Sequence, residues 1–262
     1  MFPTLLTDIP PFGWTLYTYG FMNFLAFVVA TFLSVREGRR LGLSTGRVLD
    51  LILWSAIGGY AGARILFIIV NWRDYLRNPM ALVSLEGGLV FYGGFILASI
   101  AIYLYSRRNT LPFLLVADLL APQVALGLAL GRMGCFSAGC CWGREAPPDF
   151  PFAARFTHPS GQPVINNLAN VPLHPTQLYE SFGLIILALI LLFYRTQKRF
   201  HGEVFIAYLA LYALLRTIVE TFRGDGLRGF VIPDILSTSQ FIALLLVISA
   251  VFLRWRSSRN IT

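Results

Sequence analysis

Gly131-Arg132-Met133-Gly134-Cys135-Phe136-Ser137-Ala138-Gly139-Cys140-Cys141-Trp142-Gly143 and, further on, His174-Pro175-Thr176-Gln177-Leu178-Tyr179-Glu180 stand between two long apolar runs. This region gathers all three cysteines, two of the three histidines and an arginine set directly behind a hydrophobic segment. Reactive and charged side chains are thus concentrated between runs that have almost none. The remainder of the chain reads as a cage of membrane helices built to hold this segment.

Working outward, 56% of the 262 residues are hydrophobic and only 13% are charged, far too apolar for a soluble domain of this size. Apolar windows near 14–35, 48–71, 88–106, 111–131, 177–194, 203–221 and 235–253 each approach the roughly 20 residues that cross about 30 Å of hydrocarbon. The expected fold is an all-α polytopic membrane protein of about seven transmembrane helices. Residues 1–262 form a single integral membrane domain, with 132–176 as a periplasmic loop or head segment inside it. The start, Met1-Phe2-Pro3-Thr4-Leu5-Leu6-Thr7-Asp8, lacks the basic region and small-residue cleavage site of a removable signal peptide.

The net charge of +8 reports topology and not nucleic-acid binding. Arg36, Arg39, Arg40 and Arg47 follow the first run, Arg107 and Arg108 the third, Arg195, Lys198 and Arg199 the fifth, and Arg254, Arg256 and Arg259 the seventh. All of these fall on one side, which the positive-inside rule makes cytoplasmic. The N-terminus, the 132–176 segment and the 222–234 loop then face outward, and the C-terminus inward.

Polar residues inside the runs are the next signal, because hydrocarbon tolerates them only when they face a protein interior or a wet cavity. Tyr19 and Asn23 share a helix face four residues apart; they read either as an interfacial ring with a packing amide, or as a hydroxyl aimed into a polar cavity. Arg64 lies within the second run, as a structural ion pair or as part of a substrate cavity. Gly87-Gly88 and Gly93-Gly94 flank Phe91-Tyr92, the pattern of closely packed backbone or of a broken helix end lining a site, with Tyr92 on its wall. Asp118 is a functional candidate, and Gln123 reads equally as the partner of a kink at Pro122. Arg132 is expected at the outer surface facing the headgroups. Gln177 and Glu180 open the fifth run, either as helix-entry groups behind His174-Pro175 or, for Glu180, as the partner of an arginine. Tyr208, Tyr212, Arg216 and Glu220 recur every four residues, with Arg223 following on the same side; such a polar stripe must face the bundle interior.

Arg64, Arg132, Arg216 and Arg223 all come from spans or span ends, while Lys198 is the single lysine. Guanidinium keeps its charge when buried and binds phosphate through a fork, so this set points to an anionic phospholipid. The three cysteines read as a disulfide from Cys135 to Cys140 or Cys141, or as a reactive thiol. Zinc is set aside, since three clustered sulfurs with only a distant His158 or His174 make no convincing ligand set. No cofactor is expected. The 144–173 segment, rich in Pro, Asn and Gly, reads as a loop or lid.

Tyr19-Gly20, Gly62-Ala63-Arg64, the Gly87-Gly88 to Gly93-Gly94 turn, Gly131-Arg132-x-Gly134 through Trp142-Gly143, the His174 to Glu180 run and Arg216-x-x-x-Glu220-x-x-Arg223 together resemble the prolipoprotein diacylglyceryl transferase family. They occur in that family's order and cover nearly the whole chain. The resemblance implies a bacterial inner-membrane transferase. Its lipid partner would be phosphatidylglycerol, whose diacylglyceryl group passes to the lipobox cysteine of a preprolipoprotein signal peptide, leaving a thioether and releasing glycerol phosphate. By position Arg132 and Arg216 match the family's essential arginines, and Tyr19 matches a tyrosine it uses. The expected catalytic set is Arg132, Arg216, Tyr92 and His174. Tyr19, Arg64, Gly143 and Gln177 are expected to bind substrate, as are Glu180, Tyr212, Glu220 and Arg223.

Two positions depart from the family pattern. Tyr92 stands where a histidine is usual, and Cys135 where an asparagine is usual. A phenol with a reference pKa of about 10 is a poor base at neutral pH, so thiol activation would fall to His174 or to an arginine-coupled network. The alternative reading is a non-catalytic or repurposed phospholipid-binding or transport protein on the same scaffold.

Overall fold

The seven apolar runs all become helices in the computed structural model, which describes residues 4–9, 14–77, 88–156, 170–223, 230–232 and 236–258. A strand pair, β1 (Thr4–Ile9) and β2 (Trp14–Tyr17), precedes α1 (Thr18–Arg40), α2 (Thr45–Val70), a short α3 (Trp72–Arg77), α4 (Phe91–Arg108) and α5 (Phe113–Ala138). Then come β3 (Ala154–Arg155) paired with β4 (Pro172–Leu173), α6 (Thr176–Tyr194), α7 (Glu203–Glu220), the pair β5 (Phe230–Ile232) and β6 (Leu236–Ser237), and α8 (Thr238–Ser258). By length and composition α1, α2, α5 and α6 can each cross a bilayer, and α8 contains a shorter apolar stretch, Gln240–Trp255. α7 is as long as α4, at 18 residues, yet carries Glu203, Arg216 and Glu220. The protein is a polytopic, all-α membrane protein.

The chain divides into two compact units. One comprises Met1–Leu33 and Ala117–Thr262; the other is Ser34–Val116. In the second, α2 and α4 pack antiparallel through glycine. A Cβ on Gly58 would sit 2.9 Å from the Leu97 carbonyl oxygen, and one on Gly94 would sit 2.7 Å from that of Gly59. Gly62 and Gly93 touch backbone to backbone. Small residues let membrane helices approach until dispersion and carbonyl contacts replace the missing hydrophobic driving force. Of the two readings of Gly93-Gly94, close backbone packing holds and the broken helix end does not: both glycines lie inside α4 and serve packing. Gly87 lies outside the described residues, while Gly88 abuts the Phe67 ring.

In the first unit α1 runs against α5 by the same device. Gly127, Gly131 and Gly134 meet Ala30, Asn23 and Met22 in turn. An alanine stripe on α5, Ala121, Ala125 and Ala129, packs against Leu184, Leu187, Ala188 and Leu191 of α6 and Val204 of α7. Ser181 Oγ crosses to the Ala129 carbonyl at 2.9 Å. Gly183 seats the Leu215 side chain between α6 and α7.

Asp118 settles into structure and not chemistry. Its carboxylate accepts from Lys198 Nζ at 2.8 Å, Gly202 N at 2.8 Å and Phe205 N at 2.9 Å. It thereby caps the start of α7, whose own N-cap, Gly202, has no side chain to do so. Gln123 is buried, but neither of its amide atoms has a hydrogen-bond partner among the described residues, so it is no partner for a kink at Pro122.

Element boundaries moved in two places. Residues 14–17, expected to begin the first span, form β2, and the helix runs from Thr18 to Arg40. More consequentially, α5 does not stop at Gly131 but continues to Ala138. The glycines read as a loop are the face on which α1 lies, so Arg132 sits within a helix and not at its end. The segment expected over 132–176 accordingly begins as helix and leaves it at Gly139.

Candidate functional site

Three elements of the first unit bring charge together. α5 presents Arg132, the first turn of α6 presents Glu180, and the last two turns of α7 present Arg216 and Glu220. Arg132 Nε lies 3.0 Å from Glu180 Oε2, and Arg216 Nη1 lies 3.4 Å from the same oxygen. Arg216 Nη2 pairs with Glu220 Oε2 at 2.8 Å, along the four-residue spacing of the stripe. The side chain of Glu180 is 3% exposed and that of Arg216 8%. Buried charges are costly unless paired, and Glu180 supplies one acceptor to two guanidinium groups that would otherwise repel. The sequence expectation that Glu180 needs an arginine is met twice.

The rest of the stripe extends this cluster. Tyr208 and Tyr212 stack with ring centroids 5.7 Å apart. Tyr212 lies within electrostatic reach of both Arg132 and Arg216, as Arg223 does of Arg216. Arg223 also forms an antiparallel backbone bridge with Gly143. Gly143 is enclosed: a Cβ there would meet the Phe222 carbonyl, the Thr176 methyl at 2.7 Å and the His174 carbonyl at 2.8 Å. Its contribution is backbone closure that holds the end of α7 against the start of α6.

The cysteine segment is tied to α6 by its carbonyls. Gln177 Nε2 donates to Cys140 O at 2.7 Å, and Thr176 Oγ1 donates to Cys141 O at 3.0 Å. The sequence reading quoted Thr176 without a role; its position beside Gln177 at a helix entry was the available signal. The disulfide reading is not met: no disulfide joins Cys135, Cys140 and Cys141. Tyr19, on the first turn of α1, lies within electrostatic reach of all three. Its carbonyl accepts from Asn23 Nδ2 at 2.8 Å, and the Asn23 side chain also hydrogen-bonds the Tyr19 side chain.

His174 is locked by its neighbours. Its Nδ1 is 3.1 Å from the Tyr179 hydroxyl, and its ring sits among Phe150, Tyr179 and Phe222, with centroids 5.0, 6.1 and 5.3 Å away. Burial first, and then the nearby Arg144 guanidinium, push its pKa below the ordinary imidazole value. The geometry thus gives a neutral ring that joins the loop to α6 and to the residues just after α7.

Arg64 and Tyr92 belong to the other unit. Arg64 lies over the Phe67 ring one turn along α2, at 5.9 Å from its centroid. Tyr92 is in the first turn of α4, 45% exposed, edge-on to Phe91.

Comparison with known proteins identifies the family. Residues 6–256 match the family model described as prolipoprotein diacylglyceryl transferase. A protein of Clostridium tetani named phosphatidylglycerol--prolipoprotein diacylglyceryl transferase is 38% identical over 241 residues, 92% of this chain and 93% of its own length. A Clostridium perfringens protein of the same name, numbered 2, is 35% identical over 92% of this chain and 91% of its own length. A Legionella pneumophila counterpart is 34% identical over 90% and 91%.

Proposed function

The chain belongs to the prolipoprotein diacylglyceryl transferase family, and from that premise we propose that it moves the diacylglyceryl group of phosphatidylglycerol to a protein cysteine. The acceptor is the lipobox cysteine of a preprolipoprotein signal peptide. The thiol loses its proton, its sulfur bonds to the glycerol carbon, the carbon–oxygen bond to phosphate breaks, and glycerol phosphate leaves carrying that oxygen. The proton passes to the phosphate or to solvent.

The observation that carries this reading is the convergence of Arg132 and Arg216 on one buried oxygen of Glu180. Among the described residues, three guanidinium groups, of Arg132, Arg216 and Arg223, gather around the carboxylates of Glu180 and Glu220. A phosphodiester carries one negative charge, and the guanidinium groups are already in place where charge develops as phosphate departs. Gln177 supports the same ligand: its Oε1 is buried and has no hydrogen-bond partner among the described residues, and it would accept from a headgroup hydroxyl. Glu180 is a positioning residue in this scheme, and Gly143 and His174 shape the wall.

The protein resides in the bacterial cytoplasmic membrane, with the basic ends of α1 and α4 in the cytoplasm and the arginine cluster toward the outer leaflet. The test is transfer of labelled diacylglycerol from phosphatidylglycerol to a lipobox peptide by the purified protein in detergent. Arg132→Ala and Arg216→Ala should each lower the rate by about 100-fold or more. No transfer by folded protein that still binds phosphatidylglycerol would reject the activity in favour of lipid binding alone.

A further inference from the structure

The sulfurs of Cys135, Cys140 and Cys141 lie within 4.8 Å of one another, each on a half-buried side chain. On sequence the three sulfurs made no ligand set; folded, they form a triangle. Zinc–thiolate bonds of about 2.3 Å place pairs of sulfurs roughly 4 Å apart, inside the 4.8 Å that bounds this triangle. A lone disulfide needs two sulfurs and would strand the third.

The backbone is shaped to make the triangle. Cys135 is in the last turn of α5, and the chain reverses through two left-handed residues, Gly139 at φ 70° and Cys141 at φ 64°. Left-handed backbone at a residue with a side chain costs about 1–3 kcal/mol and persists only where surroundings impose it, as in ligand clamps. Here they do: Cys140 N donates to Cys135 O at 3.1 Å, while Gln177 and Thr176 hold the carbonyls of Cys140 and Cys141. With the carbonyls drawn toward α6, the thiols are left facing each other.

Arg132 lies within electrostatic reach of Cys135 and Cys141. The C-terminal end of α5, with its outward carbonyls, favours positive charge at the same place.

We propose that Cys135, Cys140 and Cys141 hold a thiophilic divalent cation of the zinc class, whose fourth position receives the acceptor cysteine of the transfer reaction. The second half rests on the transferase reading. Three protein ligands plus an open position is the arrangement of catalytic, not structural, zinc. An acceptor thiol entering that position loses its proton to solvent and is held as thiolate beside Arg132. Its sulfur then bonds to the glycerol carbon as the carbon–oxygen bond breaks, and the metal keeps its charge and its three ligands throughout. This gives a means of thiol activation in a chain with Tyr92 and a packed His174.

The experiment uses full-length protein purified anaerobically with reductant and stripped with chelator, titrated with cobalt(II) and then zinc(II). The expected result is sulfur-to-cobalt charge-transfer absorption saturating at one equivalent, displaced by zinc, and weakened about tenfold or more in Cys135→Ser and Cys141→Ser. Thermal melting of both variants separates lost ligands from lost fold. Zinc should restore transfer to the stripped wild type by about tenfold or more and should not restore it to Cys135→Ser. Absence of the cobalt band in folded wild-type protein, or a mass showing two hydrogens lost and one alkylatable thiol as extracted, overturns the metal site. A cobalt band with transfer undiminished by stripping overturns the role in activation. A band with no transfer in any state rejects the transferase reading and leaves the metal site standing.

Discussion

Glu180 governs the site more than either arginine it touches. Replacing it by Gln leaves Arg132 and Arg216 facing each other with their shared negative charge gone, and breaking a buried ion pair on one side costs about 3–5 kcal/mol. Glu180→Gln should lower the melting temperature in detergent and lower transfer with it, whereas Glu220→Gln, which deprives only Arg216, should cost less. His174 sets a pH dependence. Its pKa is lowered in the fold, so the neutral ring is the folded form. The stability it contributes is present above about pH 6.5, the unfolded value, and is lost as pH falls through the lowered value. Melting followed from pH 7 downward should show a decline that Asn at position 174 reduces. At this scale the sequence was informative where a partner lay one turn away or where a charge inside an apolar run demanded one. Arg216 with Glu220, and Glu180 as a carboxylate in need of an arginine, were legible. Asp118 was not, because its partners at 198, 202 and 205 lie about 80 residues on and leave no local pattern.

Among elements, glycine decides how close the helices come. Gly62 lies against Gly93 with Leu97 Cβ 2.7 Å from where its own Cβ would be, while Gly59 has only Ala98 Cβ, at 4.0 Å. Gly62→Ala should therefore cost about 1–3 kcal/mol through forced separation of α2 and α4. Gly59→Ala should be neutral or slightly stabilising, since alanine is the better helix former. Paired melts of the two variants check this. The same chemistry explains which boundaries sequence reading missed. Apolar runs reveal that a helix exists, but Gly131, Gly134 and Gly139 look alike on paper. The first two lie inside α5 and the third, at φ 70°, ends its reach. Two-residue strands such as β3 and β4 are too short for any alternation to show. The cysteine triangle escaped for a related reason: its geometry depends on hydrogen bonds from α6.

Over the whole molecule, basic residues gather at the ends of α1 and α4 and around the junction of α6 and α7. On the orientation proposed above, with the seven spans expected from the sequence, the termini would lie on opposite faces and the C-terminus in the cytoplasm. A fluorescent protein fused there should fluoresce in cells, and alkaline phosphatase fused there should stay inactive; the reverse pattern would invert the orientation proposed above. The acidic clasp at the start of α7 bears on how such a molecule is made. Asp118 enters the bilayer with α5, long before Lys198 and the amides of Gly202 and Phe205 have left the ribosome. Until they arrive, α5 carries an uncompensated carboxylate. Its final seating thus waits on translation of the α6–α7 turn, and a chain truncated ahead of that turn gives the membrane quality-control proteases an exposed acidic residue to find.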